Sequence, residues 1–483
     1  MATDARFGVI LAATLAEDVS RVCLRGLAAD YALARLMLFR RLWGSLVMYE
    51  AEYRSKLMTP EAAVRLVPAR GTLSMGMAIS EPPALLQALE ARIRAEEIEN
   101  LRVYYSHSAP AAMMTILKYE YMNVIKPHPF FPTVIERELA RRGFEENRRV
   151  LFYMPGNFSS MPRILAEIGI DAFMVMVAPM DKGGFFSCGT NGDYTIPTAR
   201  IAKRLILEVN PRMPRVFGDS SLHISEATAI VEHESPLTEL PARPVNDLDR
   251  AIGKYIVDLV PDRATLQIGV GGVPNAVCSA LVNHKDLGVH TELMTASVAA
   301  LIQSGAVSNK YKNINRFKNV YTLAAGDAGL YEFLHDNSSM EVYPVDYVND
   351  PYIIGRNDRV VSINAFLQVS LDGEVNSETV NGKQYSAPGG QLDFVRGAQL
   401  SREGKSILAA YSTAAANKVS RIVPQIEGPA TDPRADTQYI VTEYGVADMR
   451  GKSSPERAEA LIAIAHPDFR DALRQRAREL GYL

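Results

Sequence analysis

Cysteine is scarce in this 483-residue chain: Cys23, Cys188 and Cys278 show neither paired nor metal-like spacing. Such a count excludes a disulfide framework and suits a reducing cytoplasm, with the three thiols read as small buried hydrophobes. Charge of one sign is also missing. A formal net charge of −3, with 22% charged residues, gives no electrostatic reason for nucleic acid or an anionic membrane as the main partner. No apolar run approaches the ~20 residues a membrane helix needs, and no basic flank precedes the first apolar stretch. The amphipathic stretch at 32–48 reads as a helix packing on the domain behind it, and the protein as cytoplasmic. HExxH, CxxC and a P-loop are absent, and the eight histidines form no metal pattern. "GVGGVP" puts proline where the dinucleotide fingerprint needs its third glycine. Metal, nicotinamide and nucleotide-hydrolysis chemistry therefore start from weak ground.

An internal repeat organises what is present. "LVPARGTLSMGMAISEPPALLQAL" (66–89) and "LVPDRATLQIGVGGVPNAVCSAL" (259–281) share Leu-Val-Pro, Arg, Thr-Leu, a glycine and a Pro-X-Ala helix start. Each reads as a buried strand, a glycine turn and a helix opened by proline, the unit of an open α/β sheet that gathers ligands at its strands' carboxyl ends. "RVLFYMP", "DAFMVMVAP", "RLILEV", "KNVYTLAAG", "VVSINAF", "SILAAYS" and "QYIVTEYG" are further strand candidates, alternating with helical segments such as "SMPRILAEIG" and "SPERAEALIAIA". The proline-rich stretch 234–250 precedes the second copy. The expected architecture is two tandem open α/β domains with a cleft between them: an N-terminal helical extension at 1–52, a first domain at 53–240 and a second at 245–483.

Three loops carry candidate chemistry. In "GVGGVP" (269–274), small residues let backbone amides approach a ligand and the helix start favours an anion; a tight structural turn is an equal reading. Glu292 in "VHTELM" opens the next helical segment, where a carboxylate is ordinarily a partner of the helix dipole. "QYSAPGGQLDFVRGA" (384–398) exposes amides suited to an oxyanion, or is a structural turn closed by Asp393.

Taken together, "IGVGGVPNAV", "LGVHTELM", "LYEFLHDN", "PVDYVNDPYIIGRNDRVVSINAFLQVSLDGEVNSE", "PGGQLDFVRGA", "STAAANKVSRIVP" and "VTEYGVADMRGKSSPERAEALIAIAHPDFR" resemble the acetyl-CoA hydrolase/transferase family of class I coenzyme A transferases, in its 4-hydroxybutyrate and butyryl-CoA:acetate branch. The resemblance runs from about residue 53 to the C-terminus. It implies that Glu292 attacks the acyl-CoA thioester, forming an acyl-glutamyl anhydride and then a glutamyl-CoA thioester that a carboxylate such as acetate resolves. It implies an oxyanion donor at Gly389 or Gly390, and coenzyme A contacts at Ile268, Gly269, Val270, Gly271 and Gly272 and at Asn349 and Asn364. Coenzyme A enters as substrate, with no permanently bound cofactor and no metal. The partners are an acyl-CoA and a small carboxylic acid, with a homodimer as the commonest assembly.

The chain departs from that pattern. Thr295-Ala296-Ser297 replaces Ser-Asp-Gly after the glutamate, Ala387-Pro388 precedes the double glycine, and Ala414 stands where some transferases carry a lysine. These changes bear on acyl specificity. An acyl-CoA hydrolase using the same glutamate and a non-catalytic acyl-CoA binder are the alternatives. The first half is expected to shape the acyl pocket through "SMGMAISEPP" and "MPGNFSSMP", whose methionines read mainly as core packing.

Overall fold

The computed structural model describes residues 49–483; the expectations for the N-terminal extension as far as residue 48, the amphipathic stretch at 32–48 and Cys23 lie outside the described residues. Residues 49–56 are helical, and residues 56–483 form one compact unit built on two large sheets.

The first sheet uses β1 (Arg70–Met75), β2 (Asn100–Tyr105), β3 (Ile125–Pro129), β4 (Ala172–Val177), β5 (Leu205–Val209) and, beyond the two-residue β6 (Phe217–Gly218), β7 (Ala229–Glu232). Its order is β3-β2-β1-β4-β5-β7, and every pairing is parallel. All six residues of β4 are buried, as a parallel strand covered on both faces requires. The second sheet uses β8 (Thr265–Ile268), β9 (Gly288–Met294), β10 (Asn319–Ala324), β11 (Met340–Val342), β12 (Val360–Ala365), β13 (Lys405–Ala409), β14 (Tyr439–Thr442) and β15 (Gly445–Asp448). Its order is β15-β14-β13-β12-β8-β9-β10-β11-β6, parallel except for the β14–β15 hairpin. The short β6 comes from the first half of the chain and pairs with β11 at the edge of the second sheet. The chain is therefore an α/β protein with mainly parallel sheets.

Both copies of the repeat fold as strand, turn and helix: β1 leads to α1 (Pro83–Arg94), and β8 leads to the helix that starts at Gly272 and ends at Ala280. Pro82 and Pro83 have no N–H and cannot cap α1 with a side chain. The buried Glu208 of β5 does so instead, accepting from Ala84 N (3.3 Å) and Leu85 N (2.9 Å). Met75, Met77 and Met161 are fully buried in the core.

One strand candidate is overturned. "RVLFYMP" runs beside β3 but is not a strand; only Phe152 N and Met154 N donate to it, to the carbonyls of Pro127 and Pro129. In a parallel ladder those same two residues would return N–H bonds, and proline has none.

Candidate functional site

Glu292 does not open a helix. It lies inside β9, and the helix that follows (Ala296–Gln303) is capped by Thr295, whose hydroxyl accepts from Val298 N at 3.3 Å. β9 pairs with β8 only through Gly288 and Val289 and then parts from it, while keeping β10 as a neighbour through Met294. The ladder to β10 skips Glu292, because the Thr322 carbonyl opposite accepts from Gly192 and Asp193. Glu292 thus sits near the carboxyl end of a strand that has begun to leave the sheet, and its side chain is only partly buried.

Two groups hold its carboxylate. Asn349 donates from Nδ2 to Oε2 at 2.6 Å, and the Gly390 N–H donates as well. Asn349 is fully buried, at the end of a helical turn (Val345–Val348) tied to β9 by His290 Nε2, which donates to the Val348 carbonyl at 2.8 Å. Gly390 has an ordinary φ of −98°, so it is not a glycine for conformational reasons. A Cβ there would lie 2.0 Å from both Glu292 Oε2 and Asn349 Nδ2, so the close approach of the loop requires glycine. Gly389, at φ +55°, is the conformational one. Burial pushes the Glu292 pKa up to about 7 against the Asn349 bond, and the nearby Asp393 carboxylate adds to the rise.

Asp393, read in the sequence as the closing residue of a turn, lies in the first turn of the helix Gln391–Leu400 and is buried. Ser159 Oγ donates to its Oδ1 at 2.9 Å and Ser159 N to its Oδ2 at 3.2 Å, and the Asn349 amide reaches it too. Phe158 N donates to the Gly389 carbonyl at 2.8 Å. "MPGNFSSMP" therefore grips the glycine loop from the first half of the chain. A second first-half chain of contacts reaches the same loop. Ala78 N donates to the His107 carbonyl (3.1 Å), the His107 ring stacks on Phe131 at 4.0 Å, and Phe131 lies 3.5 Å from where a Gly389 Cβ would be.

The glycine turn after β8 separates two openings. β8 has β9 on one side and β12 on the other, so the chain order reverses there, the switch point where open α/β sheets bind ligands. A cavity of about 180 Å³ at the carboxyl ends of β8, β12 and β13 is lined by Val270, Gly271, Gly272, Asn364, Tyr411 and Arg421. A second, of about 360 Å³, shares Val270 and Gly271 and adds Arg243, Asn275, Thr295 and Ser297. Ile268 and Gly269 are the end of β8 and the start of this turn. Asn364 forms a reciprocal amide pair with Gln267 (2.9 and 3.0 Å). Ser297 donates to Asn275 Oδ1 at 3.0 Å and contacts Thr295, so the residues replacing Ser-Asp-Gly build one hydrogen-bonded wall.

The helix start at Gly272 is not an open anion site. The buried carboxylate of Asp249 packs against it, 2.3 Å from where a Gly272 Cβ would be, and accepts from Tyr411 at 2.7 Å. The sequence reading missed Asp249, Ser159 and Arg421. Each is brought to the site from a distant segment, and the one local mark among them, the capping box of Asn246 and Asp249, points to a helix start and not to a site.

Comparison with known proteins gives the family and the fold. Residues 45–240 match the acetyl-CoA hydrolase/transferase N-terminal domain and residues 326–477 the corresponding C-terminal domain. The chain is 40% identical to the succinyl-CoA:cyclohexane-1-carboxylate CoA transferase of Geobacter metallireducens, over 90% of this chain and 97% of that protein. It is 39% identical to the 4-hydroxybutyrate coenzyme A transferase of Clostridium kluyveri, over 88% and 98%. The crystal structure of RipA from Yersinia pestis superposes with a TM-score of 0.86 at 50% identity, covering 90% of this chain and all of that one.

Proposed function

Because the chain belongs to the acetyl-CoA hydrolase/transferase family, we propose that it is a CoA-transferase that exchanges coenzyme A between a short-chain acyl-CoA and a small carboxylate such as acetate, with Glu292 as its nucleophile. The observation that carries this reading is the Glu292 carboxylate itself. It is partly exposed, pinned by Asn349 and Gly390, and placed on a strand that parts from the sheet's switch point.

A Glu292 oxygen adds to the thioester carbonyl, the C–S bond breaks, and coenzyme A leaves as thiolate, giving an acyl-glutamyl anhydride. The thiolate adds to the glutamyl carbonyl and expels the acyl group as a free carboxylate. Glu292 then carries coenzyme A as a thioester. The acceptor carboxylate repeats the steps in reverse and leaves as the new acyl-CoA, and Glu292 is regenerated. No proton needs to move, and each covalent intermediate keeps a carboxyl activated, the acyl and glutamyl carboxyls in the anhydride and the glutamyl carboxyl in the thioester.

A carboxylate is a weak nucleophile. Partial desolvation raises its basicity, and two donors fix its direction of attack. With the Gly390 N–H spent on Glu292, the Gly389 N–H is our choice for the oxyanion, a role on the order of 3 kcal/mol. Coenzyme A would cross the glycine turn, its amides meeting the backbone at 268–272, with Arg421 or Arg243 in place of the lysine absent at Ala414 to meet its phosphates.

The test is turnover of butyryl-CoA with and without acetate, for the native protein and Glu292→Gln. Acetyl-CoA formed only with acetate, and lost in the variant, is the expected result. A mass gain equal to coenzyme A less water on the Glu292 peptide after incubation with butyryl-CoA alone would identify the thioester. Free coenzyme A released without acetate would make the protein a hydrolase, and full activity in Glu292→Gln would refute the assignment.

A further inference from the structure

We infer that Asp393 is a positioning residue for this reaction: clamped by Ser159, it shares the Asn349 amide with Glu292 and sets the charge that the nucleophile carries. The inference rests on the reading of Glu292 as nucleophile. Its basis is the way the amide is placed. Asn349 has two N–H donors and one carbonyl oxygen. Nδ2 faces both carboxylates, at 2.6 Å from Glu292, while Oδ1 is buried without a partner. Turning the amide over would aim its oxygen at two carboxylates, so the orientation is forced by the pair. Ser159 supplies Asp393 with two further donors from a segment more than two hundred residues away in sequence.

Few other charges face the pair. Arg396, in the same helix as Asp393, is 3.0 Å from Asp436 in an ion pair of its own. His290, two residues before Glu292 on β9, is held neutral by burial and by the Lys312 ammonium. Burial holds Asp393 up at about 6, against its Ser159 and Asn349 bonds and the Arg396 charge, and the Asp393 carboxylate in turn adds to the rise at Glu292. Like charges that act on each other across one shared amide titrate as a pair, one taking the proton the other gives up.

The arrangement matches the covalent cycle. When Glu292 becomes an anhydride or thioester its charge is gone, and the Asn349 amide still has an anion, Asp393, to hold it in place. When Glu292 is regenerated, Asp393 opposes its charge and keeps the carboxylate basic and reactive.

The experiment is the pH dependence of kcat/KM for native protein, Asp393→Asn, Asp393→Glu and Ser159→Ala, with Glu292→Gln alongside. Asp393→Asn is expected to move the acidic limb toward lower pH by roughly one unit, with lower kcat, and Asp393→Glu to restore the limb. Ser159→Ala is expected to move it the same way by less, because Asp393, having lost a donor, takes up the pair's first proton. A limb that stays put while the rate falls equally at every pH means a packing role only and overturns the inference. Should Asp393→Asn show no cooperative melt, Ser159→Ala decides by the same criterion. Activity retained in Glu292→Gln would bring down the proposed function with this inference. An inactive Glu292→Gln with unmoved limbs would bring down this inference alone.

Discussion

Glu292 has an acid built against its ionised form. Burial raises its pKa from 4.5 to about 7, so the folded protein holds a proton there that the unfolded chain releases near 4.5. Between these values the native state binds more protons than the unfolded one, and stability from this site falls as pH rises through about 7. Glu292→Gln removes that dependence. Its Tm advantage over native protein is expected to be larger at pH 8 than at pH 5, and a constant difference in thermal melts would contradict the shift. Gly390 makes a complementary case. Alanine suits its φ of −98° but meets Glu292 Oε2 and Asn349 Nδ2 at 2.0 Å. Gly390→Ala should keep the fold and lose about 100-fold in kcat/KM, the scale of a misplaced reacting group. Steady-state kinetics beside a melting curve would check both halves of that statement.

At the scale of elements, prolines decide several outcomes by withholding N–H groups. Pro127 and Pro129 leave "RVLFYMP" an incomplete neighbour of β3, although its residues have strand character. Pro82 leaves the N-terminus of α1 to a carboxylate from another strand. Glu208→Ala would strand the Ala84 and Leu85 N–H groups in a buried setting, a cost of about 1–3 kcal/mol. A urea midpoint shift of that size, with the unfolding slope unchanged, is the expected measurement. The placement of Glu292 also belongs to this scale. "GVHTELM" alternates well enough for a strand, yet the apolar run beyond it reads as a helix beginning at the glutamate. Thr295 is the residue that caps that helix, so Glu292 stays extended and points its carboxylate at the loop.

Across the whole molecule, the two halves meet at the glycine loop. Phe158 and Ser159 bind Gly389 and Asp393, while β6 crosses to the edge of the second sheet. We propose the stretch near 240–245 as a domain boundary, since each side builds its own large sheet and most of its own apolar core, with Ile79 and Val216 of the first half packing into the second core. That boundary is one of connectivity, because the chain on either side of it contributes to the site. Among the described residues no helix is long and apolar enough to cross a membrane.

The chain's own residues were enough to determine the α/β class and the strand–turn–helix repeat, and by resemblance they pointed to Glu292, Gly389 and Gly390 as candidates. Periodicity, glycine and proline act over a few neighbouring residues, and the motif segments carry the resemblance directly. Only the tertiary structure decided that Asn349 is Glu292's partner, that Asp393 faces both, that Ser159 holds Asp393, and that Asp249 fills the helix start at Gly272. Each of those contacts joins segments tens to hundreds of residues apart. A hydrogen bond leaves no periodic mark on either strand it joins, so its partners emerge only when two sheets close on one loop.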